Sequence, residues 1–282
     1  MMRPTIIRGI WGSPEVCGRD RFRKETPSVG WQDLWASVEQ VAAEPVRYPC
    51  DLFVTFGRDN TERAERLGLQ VYEASRLPWI FAERELPPSE HRYPAAVHRG
   101  VNGHHHKLAA IVMAVEELGP VLWFDLRVRQ TRPLDDSWWH QLGLEPDFRA
   151  AMIRQYNPRF GAIWRYQDGP SLDGIPQWPL GKNRHEAQWL PGGGCLYAGD
   201  SSLLRRALQL GRQWHWWSDQ QLLAAAIDER HGKWLGERRW SRLYGLTGYY
   251  YGRNRHYSEP QDTYFECGRR LGKAEHRWRL WR

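Results

Sequence analysis

The stretch "VLWFDLRVRQTRPL", from Val121 to Leu134, ends an apolar run in one aspartate, Asp125, and follows it with Arg127, Arg129 and Arg132 and no second acid. An acid at the carboxyl end of a strand lies where ligands bind in an open α/β sheet, and the question is which ligand needs an acid there. Other residues have types that could join it. Lys107 follows His104, His105 and His106, and adjacent histidines on a helix point in different directions, so they cannot all hold one ion. They read as the polar, exposed start of a helix. Asp219, in "WSDQQLLAAAI", stands at an expected helix start, where a carboxylate is a good cap as well as a candidate acid. In "PGGGCLYAG", Gly192, Gly193 and Gly194 either let the backbone approach a ligand closely or make a tight turn. Trp214, Trp216 and Trp217 beside His215 offer an apolar wall for a ring, or ordinary core. Asp135 and Asp136 read as helix caps rather than a metal pair.

The elements that must position these residues alternate. Ile6 to Trp11 and Leu52 to Phe56 are short apolar runs closed by turn signals, and both predict buried strands. Between them Trp31, Leu34, Trp35, Val38 and Val41 recur every three or four residues, the spacing of an amphipathic helix. "DNTERAERLG" predicts a second helix and "LQVYEA" a third strand. "HHHKLAAIVMAVEELG" predicts a long helix stopped by Gly119, and Val121 to Phe124 the next strand. "PDFRAAMIRQY", "DSSLLRRALQL" and "SDQQLLAAAIDERHG" read as helices. Strands alternating with helices predict an α/β fold with a mostly parallel sheet, whose ligands lie at the carboxyl ends of the strands, where Asp125 should be.

Composition limits the function classes. The chain has 282 residues and a net charge of +7, and no apolar run reaches the roughly 18 residues of a membrane span. The amino terminus lacks the apolar core of a secretory signal, so the expected location is the cytoplasm. Cys17, Cys50, Cys195 and Cys267 form no CxxC pair and read as free, mostly buried thiols. Six of the seven net charges fall between Gly236 and Arg282, where arginines alternate with Trp240, Tyr249, Tyr250, Tyr251, Trp278 and Trp281. Guanidinium groups beside aromatic faces suit phosphate contact and base stacking, and a solvated surface over packed aromatics is the plainer reading. The expected organisation is a domain over 1–235 with a basic, aromatic-rich segment, 236–282, packed on it.

Taken in order, "HHKLAAIVMAV", "VLWFDLRVRQTRPL", "PGGGCLYAG" and "WSDQQLLAAAI" resemble the nucleotide-sugar glycosyltransferases of the GT-A fold, over about Ile6 to Asp228. The resemblance implies a GT-A-like sheet and a nucleotide-sugar donor, UDP-glucose or similar. It implies that Lys107, Asp125, Arg127, Gly193 and Gly194 bind the donor, and that Asp219 takes the acceptor proton or touches the transferred sugar. It also implies a divalent cation, Mn2+ or Mg2+, held by paired acids against the diphosphate. The second acid of that pair is here Arg127. Either Asp125 and a distal ligand such as His256 or His276 hold one ion, or Arg127 clamps the phosphate itself.

The basic segment points to a polyanionic acceptor, and DNA bearing a hydroxymethylated pyrimidine, as modified in bacteriophages, is the favoured one. The residues expected to meet it are Trp216, Trp217, Arg253, Arg255, Arg277 and Trp278. The alternatives are a transferase of cell-surface polysaccharide and a non-catalytic nucleic-acid-binding protein on a degenerate transferase fold.

Overall fold

The computed structural model describes residues 3–12, 27–74, 104–130, 133, 136, 150–156, 189–214, 219, 222, 223, 226 and 265–267. In chain order the elements are β1 (Thr5–Ile10), α1 (Pro27–Ala43), β2 (Leu52–Thr55), α2 (Arg58–Arg66), β3 (Val71–Glu73), α3 (His104–Leu118), β4 (Val121–Phe124), β5 (Val128–Gln130), β6 (Ala150–Tyr156), β7 (Trp189–Ala198), α4 (Ser202–Trp214) and β8 (Phe265–Cys267). Six strands form one sheet in the order β3-β2-β1-β4-β7-β6, and β5 pairs with β8 in a second, two-stranded sheet. β1, β2, β3 and β4 are mutually parallel, and β7 is antiparallel to both β4 and β6. Five of the six strands therefore run in one direction, the mostly parallel α/β architecture of a GT-A-like fold.

β1 is the hinge of this topology. The chain leaves it on one side for β2 and β3 and returns on its other side as β4, so the strand order reverses between β1 and β4. At such a reversal the loops at the carboxyl ends diverge and leave a crevice, the usual ligand position in an open α/β sheet. The sequence around β1 suits burial on both faces: Ile6, Ile7, Arg8 and Ile10 are all buried. Ile10 joins Trp35 and Val38 of α1, Phe53 of β2 and Ala64 of α2 in one apolar cluster. Alternation then turns Ile7 and Gly9 to the opposite face, towards Trp123 and the α3 side.

On that side Leu108 through Val115 of α3 are buried without interruption, and α3 packs on α4, whose Leu203, Leu204, Ala207 and Leu208 are buried too. Each such aliphatic side chain removed from water contributes on the order of 1.5–3 kcal/mol. The helix ends at Gly119, whose φ of 83° provides the left-handed turn into β4. Asp200 caps α4: its Oδ1 accepts from the Ser202 backbone N–H at 2.9 Å and from the Ser202 hydroxyl at 2.6 Å.

Two segments depart from the sequence expectation. Alanine, methionine and glutamine predict a helix for "AAMIRQY", yet Ala150–Tyr156 is strand β6. Its ladder with β7, running from Ala150 opposite Ala198 to Tyr156 opposite Trp189, satisfies the backbone and outweighs the modest helix preference. The glycines of "PGGGCLYAG" form no tight turn before a strand but lie inside β7. Met152 faces Leu196 while the next residue, Ile153, faces Gly192, so Gly193, Gly194 and Cys195 are surplus to the β6 register. They make a bulge, which a glycine pair tolerates, and Cys195 turns its pairing to Phe124 of β4 instead.

Of the C-terminal segment, Phe265–Cys267 pairs with β5, and Phe265 is buried with its ring 4.6 Å from that of Phe124. Cys50 and Cys195 are free thiols, and burial raises both, Cys50 to about 11. Cys17 lies outside the described residues. Among those residues no helix is long and apolar enough to cross a membrane.

One close contact ties this framework to the strand ends. A Cβ on Gly9 would stand 2.9 Å from Cη2 of Trp123 and 3.0 Å from the Val54 carbonyl oxygen. Gly9→Ala is therefore expected to destabilise the fold by about 1–3 kcal/mol through overpacking. Urea unfolding checks it, and an unchanged midpoint would show that Trp123 is not wedged as described.

Candidate functional site

Asp125 is the first residue beyond β4, and every polar handle of its backbone is engaged. Its N–H donates to the carbonyl oxygen of Gly194 in the β7 bulge at 2.8 Å. Its carbonyl oxygen accepts from the Val128 N–H at 2.9 Å, closing a turn over Asp125–Val128, and from Arg8 Nη1 at 2.8 Å. The side chain is held as well: Trp123 Nε1 donates to Oδ1 at 2.9 Å, and Lys107 Nζ pairs with the same oxygen at 3.0 Å. The carboxylate nevertheless keeps 40% of its side-chain surface exposed.

Lys107 lies in the first turn of α3, on the stripe that packs against the sheet, which carries its side chain inward. A surface lysine is the plain alternative, and its burial rules that out. Its ammonium lies between two carboxylates, Oδ1 of Asp125 and, at 2.8 Å, Oδ2 of Asp219. Burial by itself opposes the charge, but the carboxylates, Asp125 ahead of Asp219, outweigh it and hold the ammonium above the ordinary lysine range. Asp219 is only 5% exposed and sits in a helical segment whose described members Leu222, Leu223 and Ala226 are buried. It occupies the core-facing stripe of that segment, where a carboxylate persists only with a cation beside it.

Arg8 underlies the whole arrangement. An arginine in the middle of an apolar strand is fully buried here, and its guanidinium donates to the carbonyl oxygens of Pro49 at 3.0 Å, Asp125 at 2.8 Å and Val128 at 2.8 Å. It lies over the rings of Tyr48 and Phe124. Burial lowers its pKa to about 10, against the raising influence of Cys50 and Asp125, so it is charged at neutral pH. Motif and spacing do not single out this residue, although a charge inside the apolar run "TIIRGI" is the signal that points to it.

A wall of rings borders the site. Trp11 stacks on His106 at 6.0 Å and on Trp123 at 6.2 Å, and Phe56 meets His106 edge-on at 4.6 Å. His106, expected as an exposed polar residue, is instead half-buried among these aromatics. The structure thus brings together Lys107, Asp125, Asp219 and the buried Gly194, four residues from four separate motifs. Arg127 is half-buried in the turn after Asp125, Gly193 lies in the bulge of β7, and Asp136 is exposed. His256, His276, Trp216, Trp217, Arg253, Arg255, Arg277 and Trp278 lie outside the described residues, as do His215 and Asp135.

Among the described residues, the donor set does not fit a divalent ion of the kind the resemblance implies. Oδ1 of Asp125 already accepts from an indole N–H and an ammonium, and Oδ2 of Asp219 from the same ammonium. The position two residues after Asp125, where a second acid would stand, is Arg127. Among the described residues no three His, Cys, Asp or Glu side chains gather around a common point.

The described fold is similar to that of mouse xyloside xylosyltransferase 1 in its apo form. The TM-score is 0.50 with 12% sequence identity, over 95% of this chain and 98% of that one. A mannose-1-phosphate geranyltransferase from Thermus thermophilus aligns over 79% of this chain and 68% of its own at 15% identity. Its TM-score of 0.31 is too low to relate the two folds. No protein-family model matches the chain, and no curated protein sequence matches it.

Removing the lysine should be costly. Lys107→Met leaves Asp125, at the end of β4, and the buried Asp219 without their ammonium, an expected loss of about 3–5 kcal/mol in urea unfolding at neutral pH. The pH dependence has a definite sign. Because the folded ammonium titrates above its unfolded value of about 10.4, its stabilisation is complete below that pH and is lost only as pH rises through the higher folded value. Wild-type stability should therefore show no loss assignable to this lysine up to about pH 9. A lysine-dependent decline below that point, absent in Lys107→Arg, would contradict the pairing.

Proposed function

We propose that this chain is a glycosyltransferase that moves a sugar from a nucleotide-sugar donor to an acceptor hydroxyl. The observation that carries the reading is the convergence of Lys107, Asp125 and Asp219 at the strand-order reversal of a GT-A-like sheet. In the reaction the acceptor oxygen bonds to the anomeric carbon, the bond from that carbon to the diphosphate breaks, and the hydroxyl proton passes to a base. The departing nucleoside diphosphate gains negative charge, so a site that binds it better in the transition state needs fixed cations nearby. Arg127, in the turn beside Asp125, is the half-buried candidate for direct phosphate contact, and Lys107 and Arg8 supply fixed charge beneath it.

The two carboxylates take different parts. Asp125 is the member that a ligand in the crevice reaches, and it is assigned to the donor. Asp219, buried and bonded to Lys107, is poorly placed to take a proton and is assigned to orienting the ammonium. The bulge carrying Gly193 and Gly194 brings backbone up to Asp125, where a sugar would lie. Stacked Trp11 and His106 offer a ring surface at the same edge. For the acceptor, the basic, aromatic composition of 236–282 favours DNA with a hydroxymethylated pyrimidine.

The assay is to incubate the protein with UDP-glucose and DNA containing 5-hydroxymethylcytosine or 5-hydroxymethyluracil, then weigh the digested nucleosides. A hexose gain on the modified nucleoside is expected, with Asp125→Asn slower by on the order of a hundredfold. Hydrolysis of UDP-glucose without transfer to DNA would keep the transferase and discard this acceptor. A protein that neither binds nor turns over any nucleotide sugar would overturn the reading.

A further inference from the structure

The ammonium of Lys107 stands where two carboxylates from distant parts of the chain converge, 3.0 Å from Asp125 Oδ1 and 2.8 Å from Asp219 Oδ2. An oxygen-seeking divalent ion makes contacts only slightly shorter, on the order of 2.0–2.6 Å, to the same type of atom. Ammonium and ion are therefore competitors for one place. The competition is unequal, because α3 delivers the lysine covalently, its stem buried between Asp125 and the apolar stripe that starts at Leu108. Local charge is also already balanced: Asp125 and Asp219 face Lys107 directly, and Arg8 is bonded to the Asp125 backbone from below. With Arg127 where a second acid would complete an ion's ligand set, the sequence and the geometry agree.

We propose that the Lys107 ammonium is the resident cation of this site, held between Asp125 and Asp219 in the place of a divalent ion, so that a nucleoside diphosphate binds without metal. The proposal rests on reading the crevice as a nucleotide-sugar site, but the position of the cation is testable apart from that reading.

Mn2+ binding is followed by electron paramagnetic resonance, and UDP binding by calorimetry, in EDTA and in Mn2+. For the wild type, UDP affinity is expected to agree within about twofold between the two conditions, and no bound Mn2+ should depend on Asp125. Lys107→Ala empties the position while leaving both carboxylates. That variant is expected to acquire one Mn2+, with a rise in melting temperature that the wild type lacks, and Lys107→Ala/Asp125→Asn should lose it again. The proposal is overturned by wild-type Mn2+ that disappears in Asp125→Asn, by UDP binding at least about tenfold tighter in Mn2+, or by a folded Lys107→Ala that takes up no Mn2+. If Lys107→Ala fails to fold with or without Mn2+, the wild-type and Asp125→Asn titrations decide alone. If UDP binds in neither condition, the nucleotide reading falls while the Mn2+ titrations still decide where the cation is.

Discussion

Charge that has been taken out of water must find its partners inside the protein, and two buried cations impose that rule on most of this structure. Lys107 and Arg8 both bind the residue that opens the same short turn, Asp125, one pairing with side-chain carboxylates and the other with backbone carbonyls. The ammonium can be satisfied only if the first turn of α3, the end of β4 and the helical segment carrying Asp219 arrive together. Displacing any of the three would leave a charge buried without its counterpart, among the most expensive errors a fold can contain. The pairing thus acts as a registration device for three elements.

Arg8 applies the same rule to the loop. The carbonyl oxygens of Pro49, Asp125 and Val128 lie outside the ladders of the main sheet, and a buried carbonyl without a partner is costly. One guanidinium, planar and rich in donors, serves all three. The turn that presents Asp125 is therefore fixed from beneath by β1, from one side by Gly194, and through its side chain by Trp123. Trp123 in turn can approach β1 this closely only because Gly9 has no side chain. A glycine on one strand, an indole on the next and an aspartate at its tip form a single mechanical chain. Pre-organisation of this kind is what a site needs if it is to hold a diphosphate without rearranging as charge develops.

The individual chemical groups are legible in the sequence, because each interrupts a pattern. Asp125 ends an apolar run, Lys107 precedes the stripe of α3, and Asp219 opens a helix. Their roles are less legible. Asp219 looks like a cap, and only its position on a buried face, beside Leu222, Leu223 and Ala226, shows that it must carry a partner. His106 looks polar and is packed among rings, since a half-buried imidazole between Trp11 and Phe56 serves as an aromatic surface. The segment "AAMIRQY" misleads because helix preference is a local quantity of tenths of a kcal/mol, while its strand is determined by a ladder with residues roughly forty positions away.

What the sequence determined by itself was the periodicity: alternation of strand and helix, the mostly parallel core, and the helix stop at Gly119. These follow from residue type and spacing along the chain, which local sterics and burial translate directly into elements. Only the tertiary structure decided which charges meet. Lys107 and Asp219 are separated by 112 positions, Arg8 and Val128 by 120, and no pattern along the chain ranks one such pair above another. That choice is made by the closing of the sheet at β1 and by the cost of burying a charge alone, and both exist only once the chain has folded.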